Sequence, residues 1–130
     1  FRWPGRIRVG QVTADMASTL DLFPTFASLA GAPLSGRVMD GFNLMPLLDA
    51  GRPTPRREFY YCLGKTLEAA REEQWKCRVT PQGRELYNLD EDPAEQYNVF
   101  DRQPDIAQRL LGRMRDFVRQ TGAEAPALAG

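Results

Sequence analysis

The sequence predicts an α+β fold in which a small four-stranded antiparallel sheet packs against a C-terminal helix. An aromatic-rich extended run at residues 58–63 stops at Gly64, and a hairpin pattern follows over 66–79. Residues 106–118 then hold Ile106, Leu110, Leu111, Met114, Phe117 and Val118 on one helical face of an otherwise Arg/Gln/Asp surface. A half-apolar sheet and an amphipathic helix bury their apolar sides against each other, which yields a two-layer unit.

Taken in chain order, Arg6-Ile7-Arg8-Val9 alternates charged and apolar residues after Trp3-Pro4-Gly5 and reads as a short edge strand. Ser18-Thr19-Leu20-Asp21 has the form of a capping box opening a helix of about residues 20–30. Leu20, Phe23, Phe26, Ala27 and Ala30 share its apolar face, Gly31 ends it, and Pro24 is tolerated near the first turn. Asp40-Gly41 begins a turn that leads into a short helical turn through Pro46-Leu47-Leu48. Residues 51–57, with Pro53 and Pro55 among Arg52, Arg56 and Arg57, form a polar connector and mark the boundary between the two halves.

Beyond the connector, residues 58–63 form the first strand. Residues 66–71 and 74–79 form a hairpin around an acidic turn at Glu72-Glu73, with Trp75, Cys77 and Val79 on one face and Lys76 and Arg78 on the other. Leu86-Tyr87-Asn88-Leu89 supplies a fourth short strand, and Pro104 is suited to the first position of the last helix. The expected core of this second half is Phe59, Tyr61, Leu67, Trp75, Cys77, Leu86, Leu89, Ile106, Leu110, Met114 and Phe117. The small-residue tail, residues 122–130, is expected to be flexible.

Composition narrows the chemistry. The 130 residues contain no histidine, so a Ser/His/Asp triad, a His general base and a His-bearing zinc site are all excluded. Lys+Arg and Asp+Glu each number 17; the first half carries three more bases than acids and the second half the reverse. That bias is too weak for a nucleic-acid groove or an anionic-membrane patch. No apolar run is long enough for a membrane-spanning helix, and Phe1 to Arg6 has no signal-peptide core. The absence of an initiator Met suggests a piece of something longer. Cys62 and Cys77 form no CxxC motif; they suit free buried thiols, with a disulfide as the other reading, so the compartment stays open.

The remaining polar clusters have plain structural explanations beside their chemical ones. Asp90-Glu91-Asp92-Pro93-Ala94-Glu95 is acidic enough to suggest a Ca²⁺ loop, yet it lacks the EF-hand spacing and fits a solvated turn. In that turn Glu95 is expected to accept backbone N–H bonds. Lys65, Lys76, Arg78 and Arg84 can grip an anion or serve as ordinary strand charges. Phe59-Tyr60-Tyr61 can form a stacking platform or half-buried core. Asp15, Asp21 and Asp40 read as cap and turn residues.

Several motifs recur together in order: Trp3-Pro4-Gly5; Ser18-x-x-Asp21-Leu22-x-Pro24-Thr25-x-x-x-Leu29-Ala30-Gly31; Asp40-Gly41-x-x-Leu44-x-Pro46-Leu47-Leu48; Phe59-Tyr60-Tyr61; Trp75-Lys76; and Leu86-Tyr87-Asn88-Leu89-x-x-Asp92-Pro93-x-Glu95-x-x-Asn98. As a set they resemble the C-terminal part of a sulfatase, on the arylsulfatase and N-acetylgalactosamine-6-sulfatase branch of the alkaline-phosphatase-like superfamily. The resemblance covers about residues 1–118.

It implies a parent enzyme that hydrolyses sulfate monoesters, aryl or sugar sulfates, with a formylglycine nucleophile beside Ca²⁺. The formylglycine motif [Cys/Ser]-x-Pro-x-Arg is missing here: Cys62 precedes Leu63-Gly64-Lys65 and Cys77 precedes Arg78-Val79-Thr80. No catalytic or metal-binding residue is therefore assigned to this chain, which is expected to be inactive alone. The resemblance makes residues 1–50 the end of the parent α/β domain, 51–56 a connector and 57–121 a C-terminal α+β subdomain. It further implies an upstream catalytic domain as partner, a small sulfate-ester substrate bound through the parent, and a structural piece that shapes the cleft. Lys65 and Arg78 are the candidate rim contacts, and Arg78 stands where the family commonly has His. The alternatives are the same region of a phosphodiesterase or phosphonate monoester hydrolase, or a free-standing binding module. The excised piece is also expected to form a homo-oligomer or a domain-swapped form, or to have a disordered N-terminal third beside a folded C-terminal subdomain. The particular ester and the compartment are left open.

Overall fold

The computed structural model describes residues 1–34, 36, 38–125 and 128. They divide into two compact units, residues 1–57 and 58–130.

The first unit is built around helix α1, Leu22–Leu29, entered through a 3-10 turn over Thr19–Asp21. The capping box forms as its residues dictate: the Ser18 hydroxyl accepts the Leu20 N–H, and the Asp21 carboxylate accepts the Ser18 N–H at 2.7 Å. Pro24 falls in the first turn of α1, where its missing N–H costs no helical bond. The buried side of this segment is not the expected one. Asp21, Pro24 and Thr25 point inward, while Leu20, Phe23, Phe26 and Leu29 are exposed.

The reason lies in the loop that follows. Its backbone N–H groups need acceptors, and α1 with its entering turn supplies them: Thr25 Oγ1 accepts from Leu44 and Asp21 Oδ1 from Phe42. Gly41 runs so close to the start of the helix that a Cβ would overlap the Leu20 carbonyl oxygen. A second helix, α2 (Met45–Ala50), closes with Gly51 in the left-handed region and buries Met45 and Leu47 beside Leu44. Residues 6–9 are not a strand. The N–H groups of Arg6 and Ile7 turn back to the Trp3 carbonyl, and among the described residues no segment pairs with 6–9 to make a ladder.

The second unit has the predicted architecture. Strands β1 (Glu58–Leu63), β2 (Thr66–Glu72), β3 (Trp75–Thr80) and β4 (Gly83–Asn88) form an antiparallel meander in the order β1-β2-β3-β4. Helix α3, Pro104–Thr121, begins at its proline and ends at Gly122, again left-handed. It lays Ala107, Leu110, Leu111 and Met114 on Leu67, Ala70, Cys77, Val79 and Leu86, all almost wholly buried.

Two details of the core differ from expectation. Tyr60, not Phe59 or Tyr61, faces the helix, stacking on Phe117 with ring centroids 4.2 Å apart. Trp75, Ile106 and Phe117 pack at the core's margin, and Leu89 is only half-buried. Tyr60 is set on the helix face by its cross-strand row, since it stands opposite Ala70, which stands opposite Cys77 and through it Leu86. The β1–β2 register passes from Tyr61 opposite Ala69 to Cys62 opposite Leu67, leaving Glu68 without a partner, so Leu67 and Ala70 both turn toward α3.

The chain does not end its contacts at α3. Glu124 forms a parallel bridge with Thr66, and Leu128 lies in the core at 8% exposure. Residues 126, 127, 129 and 130 of the tail lie outside the described residues.

Candidate functional site

The face of the sheet turned away from the α3 core collects the polar and aromatic side chains. Strand alternation and register place Phe59, Arg71, Lys76 and Tyr87 in one cross-strand row and Tyr61, Ala69, Arg78 and Glu85 in the next. Phe59 and Tyr61 meet edge to face, 5.0 Å between centroids.

The two lysine and arginine heads of β3 differ in how far they are engaged. Lys76 Nζ donates to Glu95 Oε1 at 2.6 Å and lies 4.9 Å from the Tyr61 ring centroid, with its side chain 17% exposed. Arg78 is 48% exposed and stands 3.5 Å from Glu85 Oε2, a looser contact. Lys76 is thus consumed by the fold, and Arg78 presents its guanidinium to solvent. Burial, followed by the neighbouring Glu85 carboxylate, pushes the Tyr87 hydroxyl above its ordinary range, so it stays protonated at neutral pH.

The acidic run after β4 explains itself in detail. Asp92 accepts the N–H groups of Gln96 and Tyr97, which bends the chain, and Glu95 takes a positive φ of 55° and reaches Lys76. Glu95 therefore bonds a lysine where backbone N–H groups were expected, because Asp92 already holds them. Asn98 then seals the outer edge of β4, accepting from Leu86 N–H at 3.0 Å and donating to the Arg84 carbonyl. No group of three His, Cys, Asp or Glu side chains converges as a metal set among the described residues.

Lys65 and Arg78 are not brought together. Lys65 is exposed in the turn between β1 and β2, whereas Arg78 pairs with Ala69 inside the sheet, four residues along β2. Both cysteines are free; Cys77 is buried, which pushes its thiol up to about 11, and Cys62 is exposed. Burial also raises the Cys62 thiol, so neither is an activated nucleophile.

Asp21 proves to be more than a cap. Its carboxylate is 1% exposed and paired with the Arg56 guanidinium, which also donates to the Asp40 carbonyl at 3.0 Å. Burial alone would raise the Asp21 carboxyl, but Arg56 and the N–H groups of Phe42 and Ser18 outweigh it and hold it below the usual range. Arg56 escapes a composition reading because it sits in a proline-rich connector among other arginines. Only the fold separates it from its neighbours: Thr54 and Arg56 are buried while Pro53, Pro55 and Arg57 are exposed. Asp15 bonds Thr13 in its own loop, the local role expected of it.

Residues 1–120 match the protein family described as N-sulphoglucosamine sulphohydrolase, C-terminal. Arylsulfatase A of Homo sapiens is 35% identical over 126 residues, covering 75% of this chain and 25% of that protein. N-acetylgalactosamine-6-sulfatase of Canis lupus familiaris is 49% identical over 75 residues, 57% of this chain and 14% of that protein. Among solved structures, that of Ps i-CgsB superposes with a TM-score of 0.73 at 26% identity, covering 88% of this chain and 27% of its own. BT4656, solved with D-glucosamine-2-N,6-O-disulfate, shares the fold at a TM-score of 0.70 and 21% identity over 92% of this chain and 27% of that one. The chain spans about a quarter of the length of arylsulfatase A.

Proposed function

The chain belongs to the N-sulphoglucosamine sulphohydrolase C-terminal family and is the C-terminal region of a sulfatase; on that premise we propose that it serves an enzyme hydrolysing sulfate monoesters, by completing its fold and lining the rim of its substrate cleft. The observation that carries the rim assignment is the contrast on β3. Lys76 is committed to Glu95 and Tyr61, while Arg78 keeps an exposed, loosely paired guanidinium beside them. A guanidinium matches a sulfate or carboxylate oxygen pair in bidentate fashion and stays charged at all working pH values. Lys65 is the second rim cation of this reading.

The Ca²⁺ and formylglycine that such an enzyme uses do not fit the residues present. There is no histidine, neither cysteine lies in Cys-x-Pro-x-Arg, and no carboxylate cluster forms among the described residues. The chain's own contribution is therefore to bind and orient an anionic ester, with bond cleavage assigned to the upstream catalytic domain.

The test is a pair of substitutions in the full-length enzyme. R78A should raise KM for a sulfate ester by about tenfold, the loss of one charge-assisted contact, with folding stability unchanged. K76A should lower stability by about 1 kcal/mol through the lost ion pair. An R78A enzyme with unaltered KM removes the rim assignment. A preference for phosphorus esters over sulfate esters would favour the phosphodiesterase reading instead.

A further inference from the structure

We infer that residues 122–125, together with Leu128, act as a strap that fixes the β1–β2 turn and so sets where Lys65 is presented; the ligand half of this inference rests on the proposed rim role of Lys65. The strap lies beyond residue 120, where the family match ends.

The sheet itself leaves an opening for it. Pairing of β2 with β3 ends at Ala69 opposite Arg78, while β3 runs on to Thr80 against β4. The start of β2 thus has backbone groups that β3 does not reach, and an unpaired N–H or C=O at a half-buried strand end is costly. Glu124 supplies both partners: its N–H donates to the Lys65 carbonyl and its carbonyl accepts the Leu67 N–H, each at 2.8 Å. Gly122, left-handed at the end of α3, turns the chain back toward this site. Leu128 anchors the far end by joining the core that also contains Leu67. The two bonds bracket Thr66, so the strap grips both sides of the residue that follows Lys65. A turn held in this way keeps the Lys65 Cα in one place while its side chain remains exposed.

Backbone substitution separates the strap from the side chain. E124P removes the N–H given to Lys65, whereas E124A keeps both backbone bonds. In the 130-residue chain, E124P should speed exchange of the Leu67 amide by about tenfold or more, while Cys77 and Leu86 amides keep their protection and show the sheet intact. E124A should exchange like the parent chain. In the full-length enzyme, E124P should raise KM with kcat unchanged, K65A should do the same, and the double variant should be no worse than K65A alone.

Equal Leu67 exchange in E124P and E124A overturns the strap. Independent, additive KM effects of K65A and E124P overturn its action through Lys65. Unaltered KM in K65A overturns the rim role of Lys65 and the ligand half with it, and Leu67 exchange then still judges the strap. If E124P loses protection throughout the sheet, a chain ending at Gly122 replaces it, read by the same three amides.

Discussion

Arg56 closes on the Asp21 carboxylate across thirty-five positions of sequence, with the two side chains 6% and 1% exposed. The pair ties the proline-rich connector to the start of α1, and the same carboxylate holds the loop through Phe42. A buried charge left without its partner is strongly destabilising, so D21A should cost about 3–5 kcal/mol in urea unfolding at neutral pH. The pH dependence follows from the direction of the shift. A carboxyl held below its ordinary value of 3.8 contributes stability above that value, and the contribution disappears as pH falls through the folded value. Acid titration of stability should therefore show a steeper decline below about pH 4 in the parent chain than in D21N.

Gly41 is required by space rather than by backbone angle. A methyl group there would overlap the Leu20 carbonyl oxygen and sit 3.1 Å from Pro24 Cγ. G41A should destabilise the first unit by about 1–3 kcal/mol or more. Gly112, inside α3, is the opposite case: a Cβ added there would meet nothing within 4 Å, and G112A should stabilise by about 0.5–1 kcal/mol. Thermal melts of the two variants should shift in opposite directions.

Tyr60 and Phe117 join β1 to α3 with planes 15° apart, and Glu58 extends the join by accepting from the Tyr60 hydroxyl and from Arg113. Burial, then Glu58, pushes the Tyr60 hydroxyl up to about 12. A double-mutant cycle of Y60A and F117A should give a coupling of about 0.5–1.5 kcal/mol. L110A, at the fully buried centre, should cost more than F117A at the margin, about 2–5 kcal/mol. Equal losses would contradict the placement of Phe117.

Leu20, Phe23, Phe26 and Leu29 are 49%, 65%, 60% and 39% exposed. Such a contiguous apolar face drives association unless another surface covers it. The isolated 130-residue chain should form oligomers at high concentration, and F23D/F26D should return it to monomer. Light scattering of both proteins checks this; a monomeric parent chain would show that the face is tolerated in water.

The second unit was largely legible in the sequence because its signals are local and periodic. The apolar period of α3, the alternation of Trp75, Cys77 and Val79 against Lys76 and Arg78, and the stop at Gly64 each constrain backbone and face within one element. The motif order carried the family in the same way. Legibility ended at β1, where Phe59, Tyr60 and Tyr61 are all aromatic and alternation cannot say which faces inward; the pairing of Tyr60 with Ala70, in the row of Cys77 and Leu86, decides it.

By itself, then, the sequence determined the element types and order of the second unit, the sulfatase family and the lack of a histidine-based centre, but not the strand it suggested at residues 6–9. Only the tertiary structure decided which polar groups are spent and which are offered. Lys76 and Arg78 are equivalent in any pattern two residues apart on one strand face, yet Glu95, nineteen positions from Lys76, neutralises only the first. Likewise Asp21 and Arg56 form a buried pair that no local window contains, and Glu124 completes β2 from the far side of α3. Local periodicity encodes which face a residue takes. Partnership between charges and backbone groups distant in sequence depends on where the folded chain brings them, and that is a property of packing alone.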